Sequence, residues 1–61
     1  MCLEIMVIGN KDGSHKTFIK NDKNNQFLIF EYNVETGVGT HYERVIELVK
    51  YMNTSYTITF N

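Results

Sequence analysis

The feature that most limits how this chain can fold is the stretch QFLIFEYNV, residues 26–34. It places four large apolar residues side by side: Phe27, Leu28, Ile29 and Phe30. Successive side chains of a strand point to opposite faces of its sheet, so the stretch predicts a strand that is apolar on both faces. A chain of 61 residues has room for about one helix beside such a sheet, and one helix covers one face. The sequence therefore raises the question of what covers the second face.

Short runs of mainly apolar residues, bounded by polar turns, predict three strands in the first half of the chain. They comprise residues 2–9, 16–21 and 26–34. The pair Asp12-Gly13 predicts a hairpin turn between the first two strands, because glycine accepts a positive φ. The polar residues 22–25 predict a second turn. Connections this short favour an antiparallel meander of three strands.

After residues 35–39 the apolar period changes from two to about 3.6, which predicts one helix. Thr40 and Glu43 have the spacing of a capping box, so we expect the helix to begin at Thr40. We expect Asn53 to end it in a left-handed conformation. The stripe expected to pack on the sheet comprises Tyr42, Val45, Ile46, Val49 and Met52, flanked by Leu48.

Residues 54–60 alternate regularly and predict a last strand with Tyr56, Ile58 and Phe60 facing the core. The predicted fold is one α+β domain over residues 1–61, with the element order β-β-β-α-β. It has a small, four-stranded, mainly antiparallel sheet and one helix packed on one face. A right-handed crossover through the helix would place the last strand beside the first and parallel to it, in sheet order 3-2-1-4.

Charge and composition argue against several classes of partner. The net charge is −1 and the pI is near 6.0, without the basic stripe of a nucleic-acid-binding protein. The sequence contains no signal-peptide pattern and no apolar run approaching about 18 residues, so we expect a cytoplasmic protein without membrane contact. It has no Ala, no Pro and one Arg. These residues have G/C-rich codons, so their scarcity favours a low-GC bacterium, or a phage or mobile element of one.

Reactive side chains are scattered, which argues against catalysis and metal binding. Cys2, His15 and His41 occur singly, whereas zinc sites use clustered ligands with short spacings. We expect His15 in a surface turn, His41 on the surface of the first helical turn and Cys2 buried in the first strand. Asp12, Ser14 and His15 are neighbours in one turn, where the geometry of a hydrolytic triad is hard to reach. We therefore expect a non-enzymatic protein without a metal or cofactor.

An uncovered apolar sheet face predicts that the chain acts by binding protein. The candidate interface residues are Met6, Ile8, Leu28, Phe30, Tyr32 and Tyr51. The second sheet face is expected to carry some of the strand residues among them and Phe18, or else their opposite-face counterparts, depending on the side that the helix takes. Because a domain of about 60 residues is marginally stable and one cysteine cannot form an intramolecular disulfide, homodimerisation is the leading expectation. The dimer could form through sheet faces or through edge strands, and the sequence does not choose between them.

Beyond self-association, we expect the chain to modulate or inhibit a bacterial protein. The alternative is a small nucleic-acid-binding regulator that uses lysines of the hairpins close to the aromatic Phe18. Those lysines are Lys11, Lys16, Lys20 and Lys23. Asp12 and Asp22 interrupt this group, so we rank the alternative second.

Overall fold

The computed structural model describes residues 2–21 and 26–61, and of residues 26 and 27 it describes the backbone. The turn predicted at residues 22–25, including Lys23, lies outside the described residues. The elements in chain order are β1 (Cys2–Gly9), β2 (His15–Lys20), β3 (Gln26–Asn33), β4 (Val38–Gly39), α1 (Tyr42–Tyr51) and β5 (Ser55–Phe60).

The strands form a five-stranded mixed sheet in the order β4-β3-β2-β1-β5. Sequential strands from β1 to β4 pair antiparallel, and β5 pairs parallel to β1. The predicted α+β class is confirmed, as is the position of the last strand beside the first and parallel to it. Asn53, with a φ of 56°, also confirms the left-handed residue predicted after the helix. The predicted count of four strands is one short.

The additional strand, β4, forms because the chain reverses direction directly after β3. The Asn33 side-chain oxygen accepts hydrogen bonds from the amides of Glu35 and Thr36, at 2.9 and 3.1 Å. The Gly37 amide donates to the Asn33 carbonyl at 2.8 Å, and the φ of 71° at Gly37 suits a tight turn. The two residues of β4 are too few to show an alternating pattern. The glycines of residues 35–39 therefore indicated only where the preceding strand pattern stops.

The core lies between α1 and one face of the sheet. Its buried apolar side chains are Leu3, Ile5, Val7, Ile19, Val45 and Val49. Two expectations about the core are wrong. Met52 is 64% exposed, because α1 ends at Tyr51 and Met52 is its C-cap. Cys2 is exposed, because it alternates with the buried Leu3 and so points away from the helix.

The helix begins at Tyr42, and the capping box predicted from Thr40 and Glu43 is wrong. The Thr40 amide donates to the Glu31 carbonyl at 2.9 Å, which ties Thr40 to β3 and keeps it out of the helix. His41 is the N-cap instead, and its Nδ1 accepts from the Glu43 amide at 3.1 Å. The same nitrogen lies 4.0 Å from the Glu43 carboxylate.

This cap predicts unequal effects at two neighbouring positions. We expect His41→Ala to lower the free energy of unfolding by about 0.5–2 kcal/mol, because the first helical turn loses an acceptor. Thr40→Ala should change it by less than about 0.5 kcal/mol, because the contact of Thr40 with β3 uses its backbone amide. Urea titration of both variants measures the difference. A larger loss at Thr40 than at His41 would contradict the assigned cap.

Candidate functional site

Leu28, Phe30 and Tyr32, three of the predicted interface residues, lie on the sheet face that carries α1. In the β2–β3 pairing, Leu28 is opposite Ile19 and Phe30 is opposite Thr17, and both of these β2 residues are buried. Residues that are directly opposite in an antiparallel pair point to the same face. Leu28, Phe30 and Tyr32 therefore share the face of the core.

The other face of the sheet, which we call the open face, carries the remaining predicted strand residues. Among the side chains that the structure describes, its large apolar ones are Met6, Ile8, Phe18 and Ile29. Charges of both signs border them: Lys16 lies 3.5 Å from Glu31, and Glu4 is opposite Lys20. The candidate strand residues are thus divided between the two faces, with Met6 and Ile8 on the open face and Leu28, Phe30 and Tyr32 on the face that carries α1.

A concave apolar surface lies beside α1 and over β3, and we call it the groove. Its volume is about 440 Å³. Its floor consists of Leu3, Ile19, Phe30, Val45 and Val49, and its rim consists of Leu28, Leu48, Tyr51, Met52 and Thr54. The structure thus brings Leu28, Phe30 and Tyr51 of the predicted interface together, and it adds the side chains of Leu48 and Met52.

The groove exists because one short helix cannot cover the whole sheet. Beside Leu28 and Phe30 the sheet has four strands, because β4 pairs with Tyr32 and Asn33 at the other end of β3. At about 4.8 Å apart, four strands span about 14 Å, whereas a helix with its side chains is about 10–12 Å wide. The main contacts of α1 are with β2 and β5, which leaves β3 beside the helix. Because β2 and β5 flank β1, a second helix over β3 would have its axis about 10 Å from that of α1, close to the usual spacing of about 8–10 Å.

The apolar side chains of the rim are exposed. Leu28 is 44% exposed, Leu48 is 49% and Tyr51 is 91%. Exposed apolar side chains gathered around one concavity are typical of a binding surface. Sequence reasoning placed Tyr51 among the candidate interface residues but assigned Met52 to the stripe that packs on the sheet. A helix end placed one residue earlier would have shown Met52 on the rim.

His15 is 6% exposed, and the surface turn expected for it is wrong. Its Nδ1–H donates to the Gly13 carbonyl at 3.1 Å, and its Nε2 accepts from the Tyr42 amide at 2.9 Å. Both ring nitrogens are therefore used in joining the β1–β2 turn to the first turn of α1. Within residues 2–21 and 26–61, no group of three His, Cys, Asp or Glu side chains could hold a metal ion.

The rings of Tyr32 and the two histidines form a small cluster at the start of the helix. The ring centroid of Tyr32 lies 5.4 Å from that of His15 and 5.2 Å from that of His41. The two imidazoles are 4.8 Å apart, edge to face. Tyr32 thus packs around the helix N-terminus and not on the rim of the groove.

The neighbours Asp12, Ser14 and His15 form a turn. The amide and the hydroxyl of Ser14 both donate to the Asp12 carboxylate, at 2.9 and 3.2 Å. The Ser14 hydroxyl oxygen also accepts from the Val34 amide at 3.1 Å, which ties this turn to the end of β3. Because the His15 ring bonds to Gly13 and Tyr42, the hydrogen bonds described here do not make the serine–histidine relay of a hydrolase.

In comparisons with known proteins, the chain matches no family model, no curated protein and no solved structure. The class that the fold defines is a small α+β domain with one helix on a five-stranded mixed sheet. In the part of the chain that the structure describes, no helix is both long and apolar enough to cross a bilayer.

Proposed function

We propose that this chain is a small, non-enzymatic protein-binding module whose groove receives an amphipathic helix of a partner protein. The observation that carries the proposal is the groove itself, in which exposed Leu28, Leu48 and Tyr51 surround an apolar floor. Tyrosine is enriched at the centres of protein interfaces, and the flexible side chain of Met52 can adapt to different partners.

The polarity of the groove favours a helix as its occupant. Among the described residues that line it, only Tyr51 and Thr54 carry polar side-chain atoms. An occupant that lies there must therefore satisfy its own backbone hydrogen bonds, which a helix does within itself. A small-molecule site would normally offer several convergent polar groups. An amphipathic helix beside α1 would also complete the layer that covers the sheet.

The proposal includes a biological role: the chain would modulate or inhibit a bacterial protein by binding one of that protein's helices in the groove. The composition supports an origin in a low-GC bacterium, or in a phage or mobile element of one, because residues with G/C-rich codons are scarce. A cytoplasmic location and a homodimeric state belong to the same proposal.

Nucleic-acid binding, the alternative function, has less support. Lys16 lies close to Glu31, and Lys20 is opposite Glu4 in the β1–β2 pairing. Because a carboxylate lies beside each of these lysines, their positive charge is partly compensated. This weakens the attraction for phosphates that nucleic-acid binding requires. We therefore prefer the groove as the binding site.

The test is a selection from a display library of peptides of about 15 residues, a length at which isolated helices become stable. Half of the library carries apolar residues at helical spacing, and half carries the same composition in alternating order. We expect helix-patterned peptides to be enriched. Leu28→Glu should weaken the selected peptides roughly tenfold or more, because a buried leucine contributes about 1.5–3 kcal/mol.

Ile29→Glu is the matched control for this experiment. Ile29 is the neighbour of Leu28 in β3 and is 53% exposed, compared with 44% for Leu28, but it belongs to the open face. We expect it to leave peptide binding unchanged. Enrichment of the alternating peptides, or loss of binding through Ile29→Glu alone, would show that the groove is not a helix receptor.

A further inference from the structure

The strand β5 forms an outer edge of the sheet, and this edge lacks the usual protection. On one side β5 pairs with β1, in unbroken register from Ser55 to Phe60. Its sequence, SYTITF, contains no charged residue and no proline. Lysine, proline and bulges are the features that normally prevent an edge strand from pairing with another chain.

The backbone groups that face this free edge follow from the hydrogen bonds at the end of β5. The Asn61 amide donates to the Val7 carbonyl at 2.9 Å, and the Asn61 carbonyl accepts from the Gly9 amide at 3.2 Å. Because these directions alternate along a strand, the amides and carbonyls of Tyr56, Ile58 and Phe60 point away from β1. They form a row of donors and acceptors at the free edge.

The side chains of β5 differ in chemistry between the two faces of the sheet. Tyr56, Ile58 and Phe60 lie on the helix face, paired in register with the buried Leu3, Ile5 and Val7. The opposite face of β5 carries only hydroxyl side chains, which are exposed: Ser55, Thr57 and Thr59. Phe60 is still 58% exposed, so the helix face of this edge is incompletely covered.

We propose that β5 pairs antiparallel with β5 of a second copy of the chain, across a twofold axis at Ile58. This register places Ile58 opposite its own counterpart, Tyr56 opposite Phe60, and Thr57 opposite Thr59. All three outward-facing residues then form hydrogen-bonded pairs, each of which exchanges two bonds. A shift by two residues in either direction would leave one of these pairs unmade.

The second copy fits this edge because the pairing matches like with like. Apolar side chains meet apolar ones on the helix face, and hydroxyls meet hydroxyls on the open face, arrangements that stabilise neighbouring strands. The absence of charge on β5 removes the repulsion that two identical strands would otherwise meet. Twofold pairing of identical surfaces is also the commonest geometry of oligomers.

This inference rests on the homodimeric state named in the proposed function, but it does not depend on the groove. The groove lies over β3, and β3 and β5 are on opposite sides of the two central strands. A dimer formed through β5 therefore leaves both grooves accessible.

Amide hydrogen exchange on the unmodified chain tests the proposal, with NMR used at low and high protein concentration. We expect the amides of Tyr56, Ile58 and Phe60 to become protected as the mass in solution rises from 7.2 kDa to twice that value. The amides of Thr57 and Thr59, which face β1, should be protected at both concentrations. A monomer at all concentrations, or a dimer whose outward amides stay unprotected, would overturn the proposal.

Two double variants of opposite charge test the pairing edge independently of hydrogen exchange. T57K/T59K and T57E/T59E each place like charges opposite one another, so we expect each variant to be a folded monomer by circular dichroism and light scattering. Mixing the two should restore a dimer that contains one copy of each. Stable dimers of either variant alone would contradict the pairing. L28E should leave the dimer intact, so failure of the groove proposal is distinguishable from failure of this one.

Discussion

His15→Ala is expected to lower the free energy of unfolding by about 2–4 kcal/mol, although histidine is seldom a core residue. The variant leaves the Tyr42 amide without the acceptor that it finds at 2.9 Å in a partly buried hydrogen bond, and a buried amide without a partner costs about 1–3 kcal/mol, which is the upper bound here. It also removes a buried ring that contacts Tyr32 and His41, which adds the cost of a cavity.

The consequence for this domain would be large. At about 0.05–0.15 kcal/mol per residue, a chain of this length has roughly 3–9 kcal/mol of stability in total. Chemical denaturation followed by circular dichroism measures the loss. Lys16→Ala is the control, because Lys16 is the next residue in β2 and its exposed ion pair with Glu31 contributes about 0–1 kcal/mol. Equal losses at His15 and Lys16 would show that His15 does not hold the helix.

Gly39→Ala is expected to cost about 3 kcal/mol or more and to detach β4 from β3. Gly39 has a φ of 107°, which residues with a side chain rarely adopt. A β-carbon added to it would collide with the carbonyl oxygen of Glu31. That same oxygen accepts the Thr40 amide hydrogen bond, so the collision would disturb the connection into α1.

Two other glycines provide graded controls for this prediction. Gly37 has a φ of 71° but open space around it, so Gly37→Ala should cost about 1–2 kcal/mol, through backbone strain alone. Gly9 has open space and is not among the residues with positive φ, so Gly9→Ala should be neutral within about 0.5 kcal/mol. Urea titrations of the three variants should rank the losses in this order. A Gly39 variant as stable as the Gly9 variant would refute the close approach to β3.

The two proposed surfaces would together make a bivalent molecule. A dimer joined through β5 carries two grooves, and it can hold two helices of an oligomeric partner at once. Linked binding events of this kind raise the overall affinity without any new contact. A monomeric variant such as T57K/T59K should therefore bind a single helical peptide normally but bind a dimeric partner less tightly.

Short-range patterns in the sequence were sufficient for most of the fold. The two-residue alternation of β1 and β5 and the 3.6-residue period of α1 depend on which side chains are apolar, and this property can be read locally. The short turn after β1 and the helix before β5 then favoured the strand order, including a parallel last strand. The left-handed Asn53 followed from the same kind of local preference.

Contacts between distant segments decided the rest. The local pattern around Thr40 is a good capping box, but the hydrogen bond of its amide to Glu31 takes precedence. His15 is buried because α1 returns to it from 27 positions further along the chain. Neither bond leaves a trace in the spacing of residues near it, so the start of the helix and the burial of the histidine could not be read from the sequence.

The binding surface likewise depends partly on local sequence patterns and partly on contacts between distant segments. The sequence by itself determined that a single helix must leave apolar surface uncovered, because four consecutive apolar residues predict a strand that is apolar on both faces. Only the tertiary structure decided where that surface is largest. Because the main contacts of α1 are with β2 and β5 and the helix ends at Tyr51, the sheet face that carries it stays uncovered around Leu28. The position of a helix across its sheet depends on how all the side chains between them pack together, and no local pattern contains that information.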